Sequence, residues 1–134
     1  MEKQLGTNYA MSKGMERYKA NNVLTRTPEM LILDLYDGCI RFLEASMEGF
    51  AEESYEKISN NLLRAGAIVD ELIVSLNFEK GGEIAKNFLS LYTFVGDNIM
   101  QGNIRKNRKN VEDAKKIITM MRETWYDGVI KDKV

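Results

Sequence analysis

The chain has 134 residues, of which 44% are hydrophobic, so it can bury one apolar core without disulfides or structural metals. Its formal net charge of -1 provides no overall attraction to nucleic acid or to an anionic membrane. Histidine is absent, which excludes the commonest general base and the bundles that depend on histidine for di-iron binding or phosphotransfer. With one cysteine and no apolar run of membrane-spanning length, we expect a single-domain cytoplasmic protein without a cofactor.

Residues 1–26 show no sustained hydrophobic period, and we interpret them as an N-terminal arm. A frayed terminus is the plainer interpretation of such a segment. The arm nevertheless contains several large apolar residues, among them Tyr18, Val23 and Leu24. These favour an arm that docks on the rest of the protein for at least part of the time.

The segment Thr27-Pro28-Glu29 predicts the start of helix 1, with a hydroxyl N-cap, proline at the first helical position and an acid in the first turn. Apolar residues then recur at steps of three and four, which indicates one buried face. They are Ile32, Leu35 or Tyr36, Cys39, Leu43 and Met47. A second apolar row beside it consists of Leu31, Leu35 and Phe42. The acidic segment 48–54 predicts the end of this helix.

Helix 2 is predicted from about Ser54 to Leu76, because its apolar residues alternate strictly between steps of three and four. They are Tyr55, Ile58, Leu62, Ala65, Val69, Leu72 and Leu76, with Leu63, Gly66 and Ile73 as a second row. The pair Gly81-Gly82 is predicted to end the helix, since glycine adopts the left-handed C-cap conformation at low cost. So short a connection makes helices 2 and 3 antiparallel neighbours.

Helix 3 is predicted from about Glu83 to Asn103, and helix 4 is predicted to begin with Asn110 as its cap. The predicted inward residues of helix 3 are Ile84, Phe88, Leu91, Val95 and Ile99. Those of helix 4 are Val111, Ala114, Ile118, Met121, Trp125 and Gly128. Four amphipathic segments with short connections predict an all-α, antiparallel, up-down-up-down four-helix bundle over residues 27–134.

The sequence contains no plausible catalytic constellation. Cys39 falls on the inward face of helix 1 and has no histidine to activate it, which favours a core residue. The basic cluster Arg105, Lys106, Arg108 and Lys109 lacks interleaved aromatic residues, so we do not expect nucleic-acid binding. The second apolar rows remain unexplained, and they indicate either a broad core, a homodimer or a protein partner.

The stretch Leu76 to Tyr92 reads Leu-Asn-Phe-Glu-Lys-Gly-Gly-Glu-Ile-Ala-Lys-Asn-Phe-Leu-Ser-Leu-Tyr, and it resembles the central motif of the FliS family of flagellar export chaperones. Three further matches follow in the family's order. They are Tyr18 followed by Val23, Thr25 and Thr27-Pro28-Glu29; Leu33-x-x-Tyr36-Asp37-Gly38; and Arg122-x-x-Trp125. The chain departs from the family at Arg26-Thr27, where Ala-Ser usually precedes the proline.

The resemblance implies a chaperone that binds the disordered C-terminal segment of flagellin, prevents its polymerisation in the cytoplasm and delivers it to a component of the export apparatus. It also implies that Tyr18, Val23 and Leu24 cover part of the binding groove until flagellin displaces them. We predict that the cargo surface consists of Leu31, Leu35, Phe42, Leu63, Ile73, Asn87 and Tyr92. Asn87 is included because an amide can hydrogen-bond the backbone of an extended peptide.

We expect a monomer or a weak homodimer. We do not expect the protein to insert into a membrane. Besides a cofactor-bearing enzyme, which a colourless and metal-free preparation would exclude, two other functions remain open from the sequence. The same apolar rows could serve a regulatory adaptor with a different protein partner, or a homo-oligomeric helical scaffold.

Overall fold

The protein is an all-helical bundle in the computed structural model, which describes residues 26–133. Four helices follow one another: α1 (Pro28–Ala51), α2 (Tyr55–Val74), α3 (Phe78–Arg105) and α4 (Arg108–Trp125). Their connections are only three, three and two residues long. The chain continues from α4 as a π-helical turn, Tyr126–Ile130, and a 3₁₀ turn, Lys131–Lys133. The described residues contain no strand, and the all-α prediction is confirmed.

Contacts between helix ends establish the antiparallel topology. The Trp125 indole at the end of α4 donates a hydrogen bond of 2.9 Å to the Glu29 carbonyl at the start of α1. Ser59, near the start of α2, donates one of 2.9 Å to the Asn103 side chain near the end of α3. Helices α1 and α3 each pack against both α2 and α4. The predicted up-down-up-down arrangement is therefore confirmed.

Each helix begins at a side-chain N-cap, which satisfies a backbone N–H that has no partner within the helix. The four capping residues are Thr27, Ser54, Asn77 and Asn107. The prediction for Thr27 is confirmed, because its hydroxyl accepts from the Met30 N–H at 3.2 Å. The caps explain how such short connections can separate long helices.

The sequence predicted Asn110 as the N-cap of α4, but the N-cap is Asn107. Lys106 ends α3 in the left-handed conformation (φ 51°), and the extended residue that follows, Asn107, accepts from the Lys109 N–H at 2.9 Å. Asn110 lies inside α4 and donates a hydrogen bond of 2.9 Å to Asn98 on α3. The helix therefore starts earlier than predicted.

The prediction that Gly81-Gly82 breaks the helix is confirmed at Gly82, but the second helix has already ended before that pair. Helix α2 ends at Val74, and α3 begins at Phe78. Asn77 starts α3 by accepting from the Lys80 N–H at 3.1 Å, so the turn needs no glycine. Gly82 follows the first turn of α3, where its non-helical φ of 51° and ψ of -123° interrupt and kink the helix.

All four helices contribute to a single main core. Its buried residues are Tyr36, Cys39, Leu43, Ile58, Leu62, Ala65, Val69, Leu72, Tyr92, Val95, Ile99, Val111, Ala114, Ile118 and Met121. Cys39 is buried, as predicted. Tyr55 and Ile84, which the sequence pattern placed inside, are 68% and 65% exposed. In α3 the inward row passes through Ala85 and Tyr92, so Ile84 lies one position outside it.

Candidate protein-binding surface

Large exposed apolar side chains are concentrated on one half of the bundle. Within residues 26–132, nine such side chains are exposed, and eight of them belong to α2 or α3. The eight are Tyr55, Leu63, Val74, Phe78, Ile84, Phe94, Met100 and Ile104, whereas Met120 lies on α4. This asymmetry makes the outer faces of α2 and α3 the candidate binding surface.

An open groove of about 560 Å³ runs between these two helices, and we call it the α2–α3 groove. Gly66 and Gly96 lie in it, and their lack of a side chain leaves the space between the helices open. A methyl group built on Gly96 would lie 3.5 Å from Val69 Cγ1, an ordinary contact distance, so Gly96 on α3 faces Val69 on α2. The apolar rim consists of Leu63, Met100 and Ile104, which are 66%, 51% and 69% exposed.

The charged residues that line the α2–α3 groove are both acidic: Asp70 and Asp97. Lys106, which follows α3 directly, is engaged by side chains of α2 and α3. Its ammonium donates to the Ser59 hydroxyl at 3.0 Å and to the Asn103 side chain at 2.7 Å. The groove is therefore apolar along most of its length and negative where the two aspartates lie.

A second groove, of about 360 Å³, lies where the start of α1, the α2–α3 turn and the end of α4 meet. We call it the end groove. Its apolar lining includes Ile32, Leu76, Ile84, Phe88 and Trp125. Several of these residues belong to the stretch from Leu76 to Tyr92, so that stretch forms a surface as well as a turn.

Tyr92 lies at the bottom of both grooves, and its side chain is only 2% exposed. Its hydroxyl lies 2.6 Å from that of Tyr36 on α1, in a buried hydrogen bond across the core. Burial raises the pKa of the Tyr36 hydroxyl to about 12, although the hydrogen bond with Tyr92 acts in the opposite direction. Burial, and then the neighbouring Tyr36, raise the pKa of Tyr92 well above its ordinary value. Both hydroxyls are neutral at physiological pH, and the pair supports the grooves structurally.

Three of the predicted cargo residues meet in the α2–α3 groove. Leu63 is exposed on its rim, Ile73 is half-buried in its lining, and Tyr92 supports it. Asn87 is exposed on α3 but lines neither groove. Tyr18, Val23 and Leu24 lie outside the described residues.

The second apolar row of helix 1 is not the open surface that the sequence suggested. Leu31 is fully buried and packs with Ile32 and Leu35, apart from the main core. Leu35 and Phe42 are half-buried and pack against that core. The Arg64 guanidinium also lies 5.7 Å from the centre of the Phe42 ring. The wide apolar arc of α1 is used mainly for packing within the bundle.

Sequence reasoning missed Met100 and Ile104, which form much of the groove rim. With Gly96 they fall at successive steps of four, so they share one face of α3 beside the inward row. A small residue followed by two apolar residues on one helix face was the available signal. It was obscured by the polar neighbours Gln101, Asn103 and Arg105.

The chemistry available in this surface is apolar contact and not bond making. Burial raises the pKa of the Cys39 thiol to about 12, so it is not a reactive thiolate. Among residues 26–132, no group of three or more Cys, Asp or Glu residues could hold a metal ion. None of the helices described is both long and apolar enough to span a membrane.

An antiparallel bundle with an open, apolar groove between two helices has the architecture that helix-in-groove protein-binding modules use. The sequence matches the profile of the family described as "Flagellar protein FliS" over residues 11–132. The chain belongs to the FliS family, and the resemblance noted from the sequence is confirmed. Membership of this chaperone family makes it an export chaperone with a client protein, and not an enzyme.

Curated relatives agree with this assignment. The flagellar secretion chaperone FliS of Bacillus subtilis is 26% identical over 116 residues, which cover 87% of this chain and 86% of the relative. The protein of the same name from Campylobacter jejuni is 30% identical over 110 residues, covering 82% and 86%. That of Salmonella typhimurium is 29% identical over 104 residues, covering 77% of each chain.

Proposed function

We propose that this protein binds the C-terminal segment of flagellin in the cytoplasm, prevents its premature polymerisation and delivers it to a component of the flagellar export apparatus. The observation that carries the proposal is the α2–α3 groove, with its exposed rim of Leu63, Met100 and Ile104. An apolar groove of this kind, in a member of a secretion-chaperone family, suits a client segment that is unfolded before export.

In this proposal part of the flagellin segment folds into an amphipathic helix that lies in the α2–α3 groove. Such helices present apolar side chains at steps of three and four, which would cover the Leu63 rim and reach Ile73. Ordering a disordered segment costs free energy, so the complex need not be too tight to release its client. This balance suits a chaperone that must deliver flagellin and not retain it.

The end groove provides a second contact in the proposal, for a more extended part of the client. Asn87, which is exposed on α3, would hydrogen-bond the client backbone. Leu35 and Phe42 line neither groove, so they would meet the client only through their half-exposed parts, and the buried Leu31 would contribute by supporting Leu35.

A pair of serine substitutions tests the role of the α2–α3 groove. Leu63 and Met120 are 66% and 53% exposed, but only Leu63 lines the groove. Leu63→Ser should weaken binding of a labelled flagellin C-terminal peptide about tenfold, because the burial of one leucine side chain contributes about 1.5 kcal/mol. The measurement is fluorescence anisotropy.

Met120→Ser is the matched control and should bind the peptide like the wild type. Equal affinities for all three proteins would contradict the assignment of the groove to flagellin. Equal losses in both variants would indicate a nonspecific effect on the bundle.

The arm is proposed to compete with flagellin, with Tyr18, Val23 and Leu24 covering part of the surface until the client displaces them. Tyr18→Ser in the full chain should therefore tighten peptide binding, because the competing segment loses an apolar anchor. Tyr9→Ser is the control elsewhere in the arm. Weaker binding by the Tyr18 variant would contradict competition and would make Tyr18 a contact for flagellin.

Because the arm would cover part of the apolar surface, two copies of the chain would have little exposed area through which to associate. We therefore propose a monomer or a weak homodimer. Light scattering over a range of protein concentrations tests this state. A stable dimer at low concentration would contradict it.

A further inference from the structure

The α2–α3 groove has two carboxylates on opposite walls. Asp70 lies on α2 and Asp97 on α3, and both line the groove. Asp70 directly follows Val69, and Asp97 directly follows Gly96. Because Gly96 faces Val69 across the groove, the two aspartates lie at about the same level along it. Asp70 and Asp97 are both exposed to solvent.

No cation among residues 26–133 neutralises these carboxylates. In the part of the chain that the structure describes, neither Asp70 nor Asp97 takes part in an ion pair. The described residues that line the groove include no lysine or arginine. Lys106 interacts with Ser59, which lies ten residues before Val69 on α2 and so about 15 Å away along the helix axis.

Covering the groove with a purely apolar client would be unfavourable at this level. Two carboxylates would lose water without gaining a hydrogen-bond donor or an opposite charge, which carries a desolvation cost. A client cation placed between them would instead make two charge-assisted hydrogen bonds. The two carboxylates therefore favour a client with a positive charge at this level, a preference that the apolar rim alone would not create.

We infer that the α2–α3 groove selects a client helix that carries a lysine or arginine beside its apolar stripe, with the cation seated between Asp70 and Asp97. This inference rests on the proposed function and specifies the chemistry of the client that the groove accepts. The apolar rim supplies contact area, and the aspartate pair determines which helix fits and in which register.

The test compares two charge-matched double variants. Asp70→Asn with Asp97→Asn removes the groove carboxylates, and Asp127→Asn with Asp132→Asn removes two exposed carboxylates that line neither groove. Each pair changes the formal net charge of the chain from -1 to +1, so long-range attraction to the client changes equally. The probe is a labelled flagellin C-terminal peptide, titrated at low and high KCl concentration.

The groove variant should bind about three- to tenfold more weakly than the wild type at low salt, since partly exposed ion pairs contribute modestly. Its affinity should also depend less on salt, because the ion pairs that salt screens are gone. The control variant should retain the wild-type affinity and salt dependence, apart from any shift that the common charge change causes.

A flagellin peptide with its lysines and arginines replaced by glutamine completes a double-mutant cycle between the groove and the client. It should bind the wild type weakly and should lose nothing further with the groove variant, which identifies the interacting pair. Unchanged or tighter binding of the original peptide by the groove variant would overturn this inference and leave the proposed function intact. No binding by the wild type would overturn both. If the aspartates govern self-association, seen by light scattering, the occupant is a second copy of the chain and the inference is wrong.

Discussion

At the scale of single residues, the hydrogen bond between Tyr36 and Tyr92 is the main polar feature of the core. It joins α1 to α3 across the bundle, with 2.6 Å between the hydroxyl oxygens. The ring of Trp125 meets that of Tyr36 in an edge contact, with 6.4 Å between centroids. A buried hydroxyl is favourable only while its partner is present, because an unpaired one retains the full cost of desolvation. The two tyrosines should therefore behave as a unit.

Tyr36→Phe should lower the free energy of unfolding by about 1–3 kcal/mol, because it leaves the Tyr92 hydroxyl buried and unpaired. Tyr36→Phe with Tyr92→Phe should cost less than the sum of the single changes. Urea denaturation measures these values. Tyr126→Phe, at a half-buried tyrosine near the end of the chain, is the control and should change stability by at most about 0.5 kcal/mol. Additive losses would contradict the coupling.

The same pair predicts how stability depends on pH. Burial raises the pKa of both hydroxyls in the folded protein, to about 12 for Tyr36, whereas unfolded tyrosine ionises near pH 10. The folded state therefore holds these protons more tightly. The associated stability is complete below about pH 10 and is lost as the pH rises toward the folded pKa values, by up to about 1.4 kcal/mol per pH unit for each group.

Urea denaturation at several pH values between 10 and 12 measures this loss in the wild type and in the double phenylalanine variant. The wild type should lose stability more steeply over this range. Burial also raises the pKa of Cys39, but that contribution is common to both proteins and cancels in the comparison. Parallel curves would contradict the assignment.

At the scale of helices, caps and hydrophobic steps made most of the secondary structure predictable. Thr27-Pro28 correctly located the start of α1, and the steps from Ile58 to Leu72 identified the buried face of α2. The kink in α3 was not predictable in this way. Glycine can end a helix or bend one, and the choice here depended on Asn77 having already started α3. A local pattern could not distinguish these outcomes.

Gly82→Ala tests the kink. Gly82 has a φ of 51° and ψ of -123°, a combination that L-residues avoid, so alanine should destabilise the protein by about 1–3 kcal/mol. Gly128→Ala is the control. Its added methyl group would also meet nothing within 4 Å, but its backbone does not have a positive φ. That variant should be neutral or slightly more stable by chemical denaturation. Equal effects at both positions would show that the kink carries no strain penalty.

At the scale of the whole molecule, the sequence predicted the bundle better than the surface. Its steps of three and four determine which faces are inside, and short connections determine antiparallel neighbours. Whether a second apolar row is exposed depends instead on how much of that helix face the neighbouring helices cover. Leu63 and Leu31 both appeared as second-row residues, yet Leu63 is 66% exposed and Leu31 is fully buried. Packing between helices decided between them.

The central property proposed for the whole molecule is that its grooves bind the C-terminal segment of flagellin. Calorimetric titration of the wild-type protein with the corresponding peptide from its own organism, at several temperatures, tests it most directly. The account predicts saturable one-to-one binding with a negative heat-capacity change, because apolar surface along the α2–α3 groove becomes buried. Absence of binding by a correctly folded, monomeric protein would contradict the account and would favour a different protein client for the same surface.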